Sequence, residues 1–483
     1  MNRSSQNIAI IGSGFLGLTL ALRMSERGDN VTVYESASEI GGLAAAWQIG
    51  GVTWDKHYHV TLASDANTRK IVEELGLGDE FNWVETKTGF YTDGELYSMS
   101  NTAEFLKFPP LDLISKLRLG STIFRASKIK DWKSLEQISV EEWLTKLSGK
   151  RTFDKIWRPL LMAKLGEAYR ETSAAFIWAT IQRMYAARNS GMKKEMFGYV
   201  RGGYARVLER FGEVLAERGV EIRLNSKVEM IEDLPSGQLV VRTQQTRRRN
   251  DAKAHQYPQR TKYAAVSTQY AVATGFSAGF LAEPALPSNR RIQSMENTFD
   301  KVILTCPSNI AARMLPQIEK AERQKLESIK YQGIICASVL MKCSLSPYYV
   351  TNITDEAPFT GVIEMSALVD KRELGRNALV YLPKYVAPAD ELFNKSDEEI
   401  ERISLDGLAK MYPHFRRKDV LAFKVSRVRQ VFPLPVLGYS ESVPDSKTSV
   451  EGVYIVNSSH IVNGTLNVNE TVALAERFFA EHL

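Results

Sequence analysis

The chain has 483 residues, 44% hydrophobic and 24% charged, a balance that excludes a disordered or fibrous protein and allows an ample core. That length exceeds the size at which single cores stop growing, so two domains are expected. The 62 basic against 56 acidic residues leave a net charge of +6, too slight to indicate a nucleic-acid partner but compatible with an anionic substrate or an acidic membrane surface.

The first predicted elements carry the strongest motif. Ile8-Ala9-Ile10-Ile11 reads as a short strand that runs into Gly12-Ser13-Gly14-Phe15-Leu16-Gly17. A helix follows through Met24, and a second strand with Val31, Val33 and Tyr34 ends on Glu35. This is the order of a dinucleotide-binding βαβ unit. Gly12 allows the tight turn, Gly14 lets the backbone approach a pyrophosphate, and Gly17 lets helix and strand pack closely. The helix N-terminus offers free N–H groups and the positive end of its dipole to the phosphates. Glu35, 18 residues past Gly17, stands where an acid accepts hydrogen bonds from the adenosine ribose, with Ser36 beside it.

The doublet Gly41-Gly42, followed by Leu43, offers a second close backbone approach to the dinucleotide. Next comes Trp54-Asp55-Lys56-His57-Tyr58-His59, which in extended form would put Asp55, His57 and His59 on one face. Residues 81–196 read as mostly amphipathic helices, at 111–130, 140–147, 153–165 and 173–188, and as a separate substrate-handling block. The α/β pattern returns at Gly202-Gly203-Tyr204, with a helix over 205–218 and strands at 221–224, 227–232 and 239–241. The basic, aperiodic segment 247–297 reads as an elaborated surface loop, with a phosphate-binding patch around Arg247-Arg248-Arg249 as the sharper alternative. Strands at 302–304 and within 330–431, a helix over 397–411, a strand at 453–456 and a helix over 467–482 complete the chain.

Three cysteines, Cys306, Cys336 and Cys343, lack metal-ligand spacing and predict a reducing compartment. Residues 1–7 are polar and leave no room for a signal peptide, and no run of about 20 apolar residues suggests a spanning helix. A cytoplasmic location is expected.

Together these stretches resemble the FAD-dependent amine oxidase superfamily, which includes protoporphyrinogen oxidases, phytoene and squalene-type desaturases and, more distantly, UDP-galactopyranose mutase. The resemblance rests on the GxGxxG unit, Glu35, Gly41-Gly42, the Gly202-Gly203-Tyr204 helix followed by Asn225-Ser226-Lys227-Val228, the strand at 301–305 with Pro307, and the C-terminal strand and helix. It implies an α/β fold, a Rossmann-like FAD-binding domain of the GR2 flavoprotein type (1–80, 200–315 and 432–483) with an inserted α+β substrate domain (81–199 and 316–431). It also implies roles. Gly12, Gly14, Phe15, Leu16 and Gly17 would surround the FAD pyrophosphate, and Glu35 and Ser36 the ribose. Gly41, Gly42 and Leu43 would lie on the phosphate and ribityl side, with the Val228 backbone on the adenine. Ser459, Asn467, Val468 and Asn469 would serve the flavin end, where the helix N-terminus favours an anionic reduced ring. Two departures stand out: Leu43 replaces a common arginine, and Asn457-Ser458-Ser459 replaces an alanine-glycine-aspartate run. With no cysteine near the C-terminal segment, FAD is expected to be non-covalent.

The implied reaction is hydride removal from a C–N or C–C bond, with oxygen or another acceptor regenerating the flavin. The alternatives are an isomerase or mutase without net oxidation, acting on a nucleotide sugar or polyprenoid, and a flavin-binding protein without catalysis. The catalytic candidates are His57, His59 and Tyr381, with Tyr385 and Tyr439 as further aromatics of the substrate face. Arg158 and Lys164 could clamp an anionic group. The expected partner is a small molecule, lipidic or anionic, and not nucleic acid. The helix at 111–130, with Leu113, Leu117, Ile123 and Phe124 beside Lys116, Arg118, Arg125, Lys128 and Lys130, could rest on a bilayer. Packing of that helix on its own domain is the favoured reading.

Overall fold

The computed structural model describes residues 4–189, 196–247 and 291–483. Short apolar runs from distant parts of the chain meet in one five-stranded parallel sheet. Glu221–Arg223, Asn30–Tyr34, Asn7–Ile11, Lys301–Leu304 and Val453–Ile455 lie side by side in that order. Parallel strands of this kind must be covered on both faces. On one face, Ile8, Ile10, Val33 and Ile303 pack under helices Phe15–Glu26, Gly203–Glu217 and Val468–His482 through Leu18, Phe211 and Phe478. On the other, Ala9, Ile11, Val302 and Leu304 meet Ile231, Val241 and Phe299. These last three belong to an antiparallel sheet of Ser226–Asp233, Leu239–Arg247 and Arg291–Phe299.

The second unit is a seven-stranded sheet ordered Val420–Pro433, Tyr331–Met341, Ala378–Val386, Gly361–Glu364, Val350–Ile353, Thr88–Thr92 and Glu95–Ser98. Its neighbours are antiparallel except Val350–Ile353 beside Thr88–Thr92. Every residue of Tyr331–Met341 is buried, because apolar clusters cover both faces of that strand.

Two sequence expectations change here. Residues 81–98, expected to open a helical block, form the strands Phe81–Glu85, Thr88–Thr92 and Glu95–Ser98. Their aromatic and β-branched residues, Phe81, Trp83, Val84, Phe90 and Tyr91, suit a pleated surface. The expected loop at 247–297 is also partly sheet, since Arg291–Phe299 pairs along the whole of Leu239–Arg247. Alternating polar residues on the open face of that pair obscured its period. Residues 248–290, with Arg248 and Arg249, lie outside the described residues.

The expected helices themselves form, as Leu113–Lys128, Val140–Ser148, Arg158–Leu165 and Ala174–Asn189. Trp143, Phe153, Trp157, Tyr169 and Trp178 fill their shared core. Pro159 cannot donate a backbone hydrogen bond, and the chain widens into a π turn, Phe153–Trp157, just ahead of it. Phe432 and Leu434 of the large sheet and Leu466, just before the terminal helix, join the same core. The helical block therefore sits on the sheet beside the start of that helix. Among the described residues no helix is long and apolar enough to cross a membrane.

A Cβ on Gly17 would fall 2.0 Å from the Gly12 carbonyl oxygen. Gly17→Ala is therefore expected to destabilise the protein by about 1–3 kcal/mol through overpacking. A lowered urea midpoint at unchanged slope is the readout, and an unchanged midpoint would refute the close approach.

Candidate functional site

At the end of Asn7–Ile11, Gly12 takes φ +111°, which an L side chain rarely adopts, and its N–H donates to the Tyr34 carbonyl at 2.8 Å. The following helix starts from Gly14 with no side-chain cap and no acid in its first turn. Its leading N–H groups and positive dipole end are thus left for an anion. Space for a ligand is present too, since a Cβ on Gly14 would meet nothing within 4 Å. Phe15 and Leu16 turn their side chains into the core, where Phe15 meets Tyr204 edge-on at 5.3 Å, so only their backbone borders this space.

The second glycine turn closes on the first. Gly41 donates to the Ser13 carbonyl at 2.9 Å and bridges Gly14, and a Cβ on Gly42 would come within 3.3 Å of the Gly14 Cα. Glu35 stands over this junction. Its Oε2 accepts from the Ser13 N–H at 3.0 Å and hydroxyl at 2.7 Å, and its Oε1 from Ala37 N–H at 2.9 Å and the exposed Ser36 hydroxyl at 3.3 Å. Ser226 donates to the Glu35 carbonyl at 2.8 Å, which places the strand of Val228 alongside. The pairing of that strand slips between Val228 and Met230. Open space at Gly14, an uncapped helix and a fixed carboxylate fit the pyrophosphate and ribose of a dinucleotide.

At the other end of the cleft, Asn467 caps the terminal helix, accepting from Glu470 N–H at 3.0 Å, so Val468 is its first residue. The Asn469 side chain turns away and accepts from Asn67 and Thr68 at the start of helix Ala66–Glu74. Ser459 is fully buried. Its hydroxyl meets Asn457 Oδ1 at 2.8 Å and Ser308 Oγ at 3.2 Å, and its carbonyl accepts from Tyr439 at 2.8 Å. Ser459 and Tyr439 thereby hold the loop ahead of the terminal helix. Asn457 also donates to the Cys306 carbonyl at 2.8 Å, bringing one cysteine backbone to the C-terminal segment. Burial, with Glu35 nearby, pushes the Cys306 thiol up to about 12.

The histidine segment is not extended as expected. The strand Val52–Asp55 ends at Asp55; His59 stays beside it, Nδ1 3.8 Å from Asp55 Oδ2, while His57 turns elsewhere. His57 lies between the Leu43 carbonyl, 3.0 Å from Nδ1, and the Ser426 hydroxyl, 3.1 Å from Nε2. A carbonyl only accepts, so Nδ1 carries the proton and Nε2 accepts from Ser426. Both nitrogens of His57 are thus used within the protein. His59 donates from Nδ1 to the His57 carbonyl at 3.0 Å and packs on the Tyr204 ring at 5.1 Å, leaving Nε2 uncommitted. Burial takes its pKa down to about 3, so the ring is neutral.

Asp55 Oδ1 accepts the Tyr204 N–H at 2.9 Å at the start of helix Gly203–Glu217. Asp55, His59 and Tyr204 help to line a cavity of about 10 Å³, room for one water. Tyr381 is completely buried and donates its hydroxyl to the Asp55 carbonyl, so it serves as a core tie rather than facing the cleft.

Sequence pairing of Arg158 with Lys164 also separates. Arg158 forms a partly exposed ion pair with Asp154. Lys164 is enclosed, its Nζ 3.7 Å above the Tyr385 ring and 5.1 Å from Phe432, and burial lowers its pKa to about 7. The Tyr385 and Tyr58 hydroxyls meet at 2.8 Å. Ser426 and the Tyr58–Tyr385 pair went unnoticed in the sequence, because their partners lie more than 300 residues away along the chain.

Burial pushes the Asp55 carboxyl up to about 8, against the backbone N–H groups that favour its charge. In the unfolded chain an aspartate titrates near ~3.9. Between these values the folded state binds the extra proton, so this group makes stability fall as pH rises from about 4 to 8. Asp55→Asn keeps an acceptor for Tyr204 and removes that slope. Its stability relative to the parent is expected to rise across that window, by up to ~1.4 kcal/mol per pH unit, and a flat difference in urea unfolding would refute the assignment.

The flavin-containing amine oxidoreductase family model matches residues 17–257 and 288–467. A zeta-carotene desaturase from Synechocystis is 27% identical over 46% of this chain and 50% of its own length. A mitochondrial protoporphyrinogen oxidase from Nicotiana tabacum is 26% identical over 34% of this chain and 33% of its own length. The chain thus spans half or less of these two relatives. A phytoene desaturase from Glycine max is 20% identical over 93% of this chain and 74% of its own length. The fold is shared with putrescine oxidase bound to putrescine (TM-score 0.66, 16% identity, 99% of both chains). It is shared equally with a fatty acid isomerase from P. acnes (TM-score 0.66, 14% identity, 99% of both chains). The family implies a flavin and oxidoreductase chemistry, which the double glycine turn is shaped to serve. This chain belongs to the flavin-containing amine oxidoreductase family.

Proposed function

We propose that the chain is an FAD-dependent oxidoreductase that removes a hydride from a C–N or C–C bond of a small-molecule substrate, with oxygen or another acceptor as final oxidant. The observation that carries this reading is the double glycine cradle, an uncapped helix N-terminus with open space at Gly14, closed from above by Gly41 and Gly42. Gly12, Gly14 and Gly17, with the Phe15 and Leu16 backbone, would take the pyrophosphate. Glu35 and Ser36 would take the ribose, the Val228 backbone the adenine, and Gly42 with Leu43 the ribityl side. Backbone N–H groups of Val468 and Asn469 would face the pyrimidine edge of the ring, in a turn set by Asn467 and a loop held by Ser459.

Bound flavin supplies the two-electron acceptor. The rest falls to the chain. His57 fixes Leu43 and thereby the second glycine turn against Ser426. His59, kept neutral by burial and with Nε2 free, can accept a hydrogen bond from the substrate. The linked Tyr58 and Tyr385 hydroxyls can orient a polar substrate atom, while Phe432 and Leu466 keep water out. FAD is held non-covalently in this reading: the Cys306 thiol is protonated and lies toward Glu35 at the ribose end, Cys336 is buried within the sheet, and Cys343 is exposed. Reduced thiols at all three cysteines suit the cytoplasm.

A second reading keeps the flavin without net oxidation, as an isomerase or mutase, and is motivated by the fold shared with a fatty acid isomerase. It requires pre-reduced FAD and consumes no acceptor.

The purified protein is expected to show flavin absorption bands that pass entirely into the supernatant on acid precipitation. A coloured pellet would overturn non-covalent binding. Glu35→Gln is expected to lower the flavin-to-protein absorbance ratio after gel filtration without changing the unfolding midpoint, and Gly14→Ala to lower it further. Full retention in both would overturn the cradle.

A further inference from the structure

Lys164 lies in the last turn of helix Arg158–Leu165, one residue before its end. No carboxylate of the described residues pairs with it, and its ammonium lies over the faces of Tyr385 and Phe432. Helix carbonyls at that end and two aromatic faces offset only part of the cost of enclosing an ammonium. Lys164 touches Tyr385, whose hydroxyl meets that of Tyr58, and each of the three keeps some accessible surface, so the group borders open space rather than solid core. Tyr58 stands between His57 and His59, and Leu466 packs into the same apolar cluster as Phe432 and Tyr385.

We propose that Lys164 binds the carboxylate of an otherwise apolar substrate, with the Tyr58–Tyr385 hydroxyl pair within the same cleft and Phe432 as its apolar wall. One enclosed cation balances one negative charge, so a monoanion fits where a phosphate dianion would leave charge uncompensated. A protonated amine would face Lys164 across a low-dielectric cleft and be repelled. The site therefore selects against the cationic amines that other proteins of this fold accept. The inference rests on the flavin reading only in taking this cleft as the substrate side.

Isothermal titration of the flavin-loaded protein with octanoate, 1-octanol and octylamine tests it. Octanoate is expected to bind on the order of tenfold or more tighter than octanol, and octylamine more weakly than either. Lys164→Met should abolish the advantage of octanoate while octanol binds as before, and Lys164→Arg should keep it. Equal binding of octanoate and octanol to the parent, or an unchanged octanoate affinity in Lys164→Met, would overturn the proposal. Circular dichroism checks that both variants fold. The flavin spectrum of the same samples separates the two readings, because a colourless protein speaks against the cofactor and a coloured one that ignores octanoate speaks against Lys164.

A different observation concerns the helices Thr102–Lys107 and Leu113–Lys128, whose outer face is reversed in character. Five of the eight exposed large hydrophobic residues among the described residues fall here: Leu106, Leu113, Ile114, Leu117 and Phe124, from 50% to 70% exposed. Ser115 and Thr122 face inward with Leu119 and Ala126. Lys116, expected on the basic outer face, is buried instead and donates to the Leu106 carbonyl at 2.7 Å, pinning the elbow between the two helices. Inward packing of the helix on its own domain therefore coexists with an apolar outer face. Exposed Lys107, Arg125, Lys128 and Lys130 flank it, while Asp112 is tied to the helix start and to Arg151. We infer that this elbow docks on an anionic lipid surface, its leucines and isoleucine entering the acyl boundary and its basic residues meeting headgroup phosphates. A second copy on the same face would oppose like charges.

Co-sedimentation with phosphatidylcholine vesicles, with and without phosphatidylglycerol, is the test. Pelleting is expected with the anionic vesicles, weaker at high salt, and lost in Leu113→Ser/Ile114→Ser/Leu117→Ser. No pelleting at low salt, pelleting of the triple variant, or a dimer in gel filtration that this variant dissolves would overturn the inference.

Discussion

Asp55 is the residue on which three parts of the molecule converge. Its side chain accepts the Tyr204 N–H and so starts the helix that covers the parallel sheet. Its backbone pairs with Ala46, just past the second glycine turn, and its carbonyl accepts from Tyr381 in the middle of the seven-stranded sheet. A buried carboxylate is expensive unless it is hydrogen-bonded or protonated, and this one is both, being protonated over most of the neutral range. The parallel-sheet unit and the seven-stranded sheet are thereby registered to each other through one polar group rather than through shape alone. His57 adds a parallel tie, from Leu43 to Ser426.

What was legible in the sequence followed from how local each feature is. The βαβ unit, the glycine doublet and the terminal helix are specified within a turn or two, and their residues fall where the spacing puts them. The strands at 81–98 were not legible, since they gain their pairing from residues such as Val350–Ile353 far along the chain. Of Asp55, His57 and His59, expected on one face, Asp55 and His59 stay together and His57 departs, for a physical reason. Alternation holds only while the backbone stays extended, and the strand ends at Asp55 with a bend at Lys56 and His57. Arg158 and Lys164 look equivalent as letters. Only the fold decides that one finds Asp154 at the surface and the other finds aromatic rings in the interior.

The C-terminal departure from the family pattern has a similar logic. In the run that replaces alanine-glycine-aspartate, Ser459 stands in the acid's place and Asn457 uses both ends of its amide, accepting from Ser459 and donating to Cys306 and Ser308. A neutral amide satisfies donors and acceptors at once, so the loop is rigid without a buried charge. Asn469 likewise spends its side chain on helix Ala66–Glu74. Both choices leave contacts with a cofactor at that end to backbone groups, whose positions depend on the helix as a whole.

Arg23, in the first helix, reaches Glu476 of the last helix at 2.6 Å and Glu74 at 2.6 Å, within a cluster where Leu20, Val72 and Phe478 are packed together. Helices Phe15–Glu26 and Val468–His482, far apart in sequence, are therefore halves of one packing unit. The sheet beneath the glycine turns takes an edge strand, Val453–Ile455, and a covering helix, Val468–His482, from residues hundreds of positions further along the chain. Contacts of such sequence separation form slowly. The glycine turns therefore gain their full support only late in folding, when these distant segments dock on the sheet beneath them.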